Sequence, residues 1–137
     1  MQRWLVKFAP FRYSWDDCLR HGRFQLYGLR SAQARNYLSH MAVGEEVLFY
    51  HSQQERTVVG LMVVSTPAQP DPTAPDSSSW LSVTFEPERT LPVPVPLARL
   101  RQEPALASIG LLRQPQLAVM PLTDAEFNLI LQLSETV

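Results

Sequence analysis

Apolar residues in this chain fall into short blocks, some spaced as in a strand and some as in a helix. Trp4, Leu5 and Val6 make a strand-like run that Pro10 ends, since proline supplies no ladder donor. Ser14, with Asp17 three residues on, predicts the N-cap of a short helix from Trp15 to about His21, and Gly22 terminates it. A second helix is predicted after the capping residue Ser31. Ala34, Tyr37, Leu38 and Met41 fall at i, i+3, i+4 and i+7 and so share one buried face, from which Arg35 points away. Gly44 breaks that helix, and residues 46–52 and 57–65 read as a hairpin joined by the polar turn 53–56.

Proline shapes the next third of the chain. Residues 66–79, TPAQPDPTAPDSSS, predict a surface loop. Leu81, Val83 and Phe85 alternate with Ser82, Thr84 and Glu86, the pattern of a half-buried strand. LPVPVP is extended, because alternating prolines forbid a helix and spoil a central strand. Residues 97–102 predict a short helix and residues 117–120 a strand ended by Pro121. Thr123 and Glu126 then form a capping box ahead of the apolar stripe Phe127, Ile130 and Leu131. Strands interspersed with short helices, without regular alternation, predict a single α+β domain over residues 1–137. Its sheet would be curled and mainly antiparallel.

Composition narrows the setting. A lone cysteine, Cys18, excludes an internal disulfide framework, and no apolar run reaches the ~18–20 residues that span a bilayer. The N-terminal apolar stretch is short and interrupted by Lys7, unlike a signal peptide. The expectation is a soluble, reducing, cytoplasmic setting without membrane contact. Net charge is −1, but it is unevenly spread. Residues 1–40 carry seven basic residues (Arg3, Lys7, Arg12, Arg20, Arg23, Arg30 and Arg35) against Asp16 and Asp17, while the rest of the chain is acidic. A basic segment on an acidic body either attracts phosphates locally or forms a solvated face.

Candidates for catalysis are sparse. Cys18 and His21 lie one helical turn apart, but with His40 and His51 they give no metal-ligand spacing and no nucleophile with an evident base. The scattered glycines make no phosphate loop. Aromatic and polar residues mix at YGLRSAQARNYL (27–38) and FYHS (49–52), where rings could stack on a base and Arg, Asn, His and Ser could read its edge. Period two puts Tyr50 and Ser52 on the opposite face from Phe49 and His51, so only half of FYHS can be core.

At these residues the sequence resembles the EVE domain family over nearly the whole chain. The opening Trp4-Leu5-Val6-Lys7 with Pro10, then Ser14-Trp15-Asp16-Asp17, is similar to that family's start. Gly28-Leu29-Arg30 with Gln33-Ala34-Arg35-Asn36, then residues 44–52, Pro70-Asp71-Pro72-Thr73 and Leu112-Arg113-Gln114, follow in the family's order. The chain departs from the pattern at Ala9, Tyr27, Ser31, Ala32, Gln116 and Ala118, positions that bear on pocket chemistry more than on fold. The resemblance implies a PUA-like pseudo-barrel with a pocket between the Arg-Asn helix and the FYHS strand.

What it implies for function is a non-catalytic reader, and the expectation is a monomer that uses no cofactor. Such a reader binds one nucleobase, a modified one, in DNA or RNA. The expected pocket comprises Trp15, Tyr27, Arg30, Arg35, Asn36, Phe49, Tyr50, His51, Ser52 and Arg113, with Lys7 on phosphate. On the residues alone, a small-molecule-binding or hydrolytic use of the same cleft stays open. So does a protein-interaction domain whose partner docks on the proline-rich loop.

Overall fold

The computed structural model describes residues 1–53 and 55–135. Gln54, inside the expected hairpin turn, and Thr136 and Val137, at the end of the expected domain, lie outside the described residues. The elements run β1 (Arg3–Phe8), α1 (Trp15–His21), β2 (Phe24–Leu26), α2 (Ala32–Ser39), β3 (Glu46–His51), β4 (Thr57–Pro70) and β5 (Leu81–Pro96). They continue with α3 (Leu97–Arg101), a 3₁₀ turn (Pro104–Leu106), α4 (Gly110–Arg113), β6 (Val119–Leu122) and α5 (Asp124–Leu133). The strands form one six-stranded sheet in the order β2-β5-β4-β3-β1-β6, so β2 and β6 are edges and the sheet is not closed. Every neighbouring pair is antiparallel except β1 and β3. This is the mixed α+β class that the hydrophobic pattern predicts.

Local signals place the helices. Ser14 and Thr123 each cap their helix through a reciprocal capping box, with Asp17 and Glu126 at the third position. Gly22 ends α1 at φ 74°, a left-handed conformation that costs a residue with a Cβ. Ser31 caps α2 by accepting from the Ala34 N–H at 3.2 Å. That helix stops at Ser39, short of Gly44, but Ala34, Leu38 and Met41 are buried as the spacing predicts, and Tyr37 partly so.

Proline placement corrects two expectations and bears out a third. Residues 66–70 extend β4 and do not open the loop, because β3 ends at the Glu46–Val63 pair. Beyond it, β4 has β5 alone as a neighbour, and missing donors cost little on an open edge. LPVPVP is extended as expected, within β5 on a stretch past its three pairs with β2, where it is not a central strand. β6 begins at Val119 and runs through Pro121, since it pairs with β1 on one side only. Phe24–Leu26, too short to register as a strand in the pattern, pairs with Phe85–Val83.

The sheet buries both faces. Leu5, Leu48, Leu61, Val95, Phe127 and Ile130 pack on one side with the α5 stripe. Trp4, Val6, Trp15, Phe24, Phe49 and Phe85 pack on the other. On that second face the Trp15 indole lies flat against Gly60 of β4, where an added Cβ would sit 2.4 Å from its ring carbons. The indole Nε1 also donates to Thr90 Oγ1 at 2.8 Å, so it cannot slide away freely. Gly60→Ala should therefore cost about 1–3 kcal/mol by overpacking. A midpoint unchanged in urea denaturation would show that Trp15 is not held there.

Candidate functional site

β1 and β3 run parallel in a register that pairs Lys7 with Tyr50 and Phe8 with His51. Alternation then sends Lys7 and Tyr50 to one face of the sheet and Phe8, Phe49 and His51 to the other. Ser52, whose N–H donates to the Phe8 carbonyl at 2.9 Å, prolongs the pairing. The result is a cleft of about 380 Å³ at the C-terminal ends of the two strands, with Lys7, Tyr50 and Ser52 among its lining. Gln53 and Arg56 from the following turn, Leu97 and Arg101 of α3, and Leu111, Leu112 and Pro115 complete the walls.

Electrostatics in this cleft are one-sided. Lys7, Arg56 and Arg101 contribute three cations, and none of the described lining residues is acidic. The Lys7 ammonium contacts the Pro115 carbonyl, and burial lowers its pKa. Burial likewise raises the pKa of Tyr50, opposed by the charges of Arg56 and Arg101. The Tyr50 ring is core, with the residue only 2% exposed, and its hydroxyl has no hydrogen-bond partner among the described residues. The cleft thus presents a free hydroxyl, a serine and an array of cations.

A second hollow, about 440 Å³, meets the first at Pro115 and is lined by Ser31, Gln33, Gln114, Gln116 and Leu117. The start of α2 and the end of β3 therefore open onto adjoining hollows, with the Lys7–Pro115 contact between them. Two positions at which the chain departs from the EVE pattern, Ser31 and Gln116, line the second.

The other expected pocket residues are dispersed. Phe49 is fully buried, its ring 5.3 Å from that of Phe24 and 5.7 Å from that of Trp15, so it has no surface to offer a base. Trp15 is buried against Gly60 on the same face. His51 is a brace: its Nε2 accepts from the Trp15 N–H at 2.9 Å, and the Nδ1 proton this leaves is shared with Glu55 at 2.6 Å. Arg30 is paired with buried Asp71 at 3.0 Å, and Arg35 donates to Ser79 Oγ at 2.8 Å. Both guanidinium groups also lie over Trp80, at 5.7 and 5.6 Å from its ring centre. Asn36 lines a separate apolar hollow with Trp4, Tyr37 and Pro121. Tyr27 is exposed on the Phe8 side of the sheet. Arg113 is exposed in the last turn of α4, beside the cleft segment but outside its lining.

Three features escape the sequence reading: Arg56, Arg101 and the Asp71 latch. Asp71 accepts from the Gly28 and Thr73 N–H groups, each at 2.7 Å, and from Thr73 Oγ1 at 2.6 Å as well as from Arg30. Burial raises its pKa, but these donors outweigh it and hold the carboxyl down at about 2. The Pro-Asp-Pro-Thr spacing carries the signal for this Asx-type turn. Cys18 is buried, its thiol pushed up to about 11 by desolvation, whereas His21 is exposed and bonded to Tyr13 at 3.0 Å. The two do not form a pair. No cluster of metal-ligating residues occurs among the described residues, and none of the described helices is long and apolar enough to cross a membrane.

The architecture defines the chain as a small α+β domain with an open, cation-lined cleft at the ends of its parallel strand pair. The EVE domain pattern matches residues 2–133, and the chain belongs to the EVE family. It is 32% identical over 130 residues to thymocyte nuclear protein 1 of Homo sapiens. That match covers 79% of this chain, which spans 58% of the relative's length. A crystal structure of a protein from Agrobacterium tumefaciens superposes with a TM-score of 0.96 at 31% identity, covering 98% of this chain and 94% of that one. The human THYN1 protein, in complex with DNA containing 5-methylcytosine, superposes at 0.93 with 28% identity, covering 100% of this chain and 99% of the other.

Proposed function

We propose that this domain is a non-catalytic nucleic-acid reader that takes one extruded base, a modified one, into the cleft between Lys7, Tyr50, Ser52 and Pro115. The observation that carries the reading is the Lys7–Tyr50 register pair, which sets a cation and an unpartnered hydroxyl side by side on one wall. A base edge can hydrogen-bond to Tyr50 and Ser52 while Lys7, Arg56 and Arg101 hold the flanking phosphates. The described lining contains no histidine, cysteine or carboxylate, which favours binding over catalysis. The DNA complex of the similar human protein supports the same ligand class. Ser31, Gln114 and Gln116, in the adjoining hollow, are placed to discriminate between modifications.

Tests follow from the three cations. Oligonucleotide affinity should fall with salt with a log–log slope of about −2 to −3 if two or three phosphates are neutralised. In a panel of duplexes differing only in one base, a 5-methylcytosine site should bind more tightly than its unmodified counterpart. Tyr50→Phe should weaken that binding by about 0.5–1.5 kcal/mol, the net worth of one hydrogen bond, with little change in melting temperature. Salt-independent binding would point to a free small ligand, and a Tyr50→Phe variant with full affinity would remove the cleft as the reading site.

A further inference from the structure

The Phe8 face of the same strand ends carries a different surface. Phe8, Arg12, Tyr13, Phe24, Gln25 and Tyr27 line a hollow of about 290 Å³. Across Tyr13, Gln25 and Tyr27 it opens into a shallower one bounded by His21 and Arg23. Four aromatic rings converge here. Phe8 and Tyr13 both pack on Phe24, at 5.1 and 4.9 Å between centroids, and form a rigid floor. Tyr13 is fixed from below, its hydroxyl donating to the Arg23 carbonyl at 2.5 Å. Tyr27, 45% exposed, has no hydrogen-bond or ring partner among the described residues, and Phe11, on the turn just after β1, is 80% exposed.

The charge on this surface is as one-sided as in the cleft. Arg12 spreads its guanidinium over the Phe8 ring at 5.1 Å, and Arg23 stands at the opposite rim. No described residue lining either hollow is acidic. The nearby Asp17 is occupied by the Ser14 cap and by Arg20. A protein partner would meet exposed rings, but the unopposed arginines interleaved with them select a polyanion that also offers flat apolar faces. Single-stranded nucleic acid has that chemistry.

We propose that this hollow is a second nucleic-acid contact, where an unstacked base of a single strand lies against Tyr27 while its backbone passes Arg12 and Arg23. It rests on the nucleic-acid reading above for its ligand class, but not on the cleft. The two surfaces lie on opposite faces of one strand end, with Lys7 turned to one and Phe8 to the other, so a strand can engage both.

The test uses the whole chain and a labelled, unmodified ten-nucleotide oligothymidylate, read by fluorescence anisotropy. Tyr27→Ala and Arg12→Ala should each weaken binding about fivefold or more, the low end of what one stacked base contributes. Tyr27→Phe, which keeps the ring, should retain parental affinity. This rescue separates stacking from any loss of fold. If both alanine variants bind like the parent while Lys7→Ala and Tyr50→Phe bind less well, the second contact is overturned and the cleft stands. If the alanine variants fail and the cleft variants do not, the second contact stands independently of the cleft, whose reading is decided by the modified duplexes. Absence of any oligothymidylate binding overturns the proposal. So do Tyr27 resonances that shift with protein concentration but not with oligonucleotide, because the face is then a contact between copies of the chain.

Discussion

Asp71→Ala is expected to destabilise the domain by about 1.5–3 kcal/mol, because it removes a buried carboxylate and the charge-assisted hydrogen bonds it accepts, although the Arg30 it pairs with is itself exposed. The carboxylate joins Gly28, Arg30 and Thr73, so its loss releases the loop after β4 from the entry to α2. The same group predicts an acid dependence. Its folded pKa, about 2, lies below the value of about 3.9 expected when unfolded, so its contribution is complete above pH ~4 and is lost as pH falls through ~2. That contribution is about 2–3 kcal/mol for the folded-state shift. Urea denaturation of the parent at pH 4.5 and pH 2 should show the decline, and Asp71→Ala should flatten it. An alanine variant with parental stability at neutral pH would mean the latch is ornamental.

Tyr50→Ala should cost as much stability as Phe127→Ala, about 3–5 kcal/mol each, although one residue lines the cleft and the other does not. Tyr50 is nearly as inaccessible as Phe127, and both belong to the same apolar cluster with Leu48, Leu61 and Ile130. The ring fills core volume, and only the hydroxyl reaches the cleft. An alanine scan of binding would therefore mistake unfolding for lost recognition, and the phenylalanine variant isolates the recognising atom. Melting curves of the three variants check this. Tyr50→Ala melting within a degree or two of the parent would place the ring outside the core.

The fold was legible where local chemistry decides it. Ser14 with Asp17, Ser31, and Thr123 with Glu126 announce helix starts because a capping side chain satisfies donors only a few residues away. The reach of β4 through Pro67 and Pro70 was not legible, because it depends on which strands lie alongside, a property of the whole sheet. In the site, alternation correctly divided FYHS into two faces. It could not say which half was core, and the structure buries the rings of both Phe49 and Tyr50. Arg30 and Arg35 look in sequence like readers of a base, yet the partners that engage them, Asp71, Ser79 and Trp80, are some 40 residues away. Arg56 and Arg101 enter the cleft from separate elements, and no motif spacing joins them.

The placement of β1 between β3 and β6 bears on how the domain is made. On the ribosome, the first strand emerges long before the segment that will cover its outer edge, so Arg3–Phe8 waits with open backbone donors until residues 119–122 arrive. A nascent chain of this kind completes its sheet late and offers an unprotected strand meanwhile. Circular permutation that opens the chain before β6, so that β6 and α5 precede β1, would shorten the wait, and should speed refolding while lessening aggregation during synthesis.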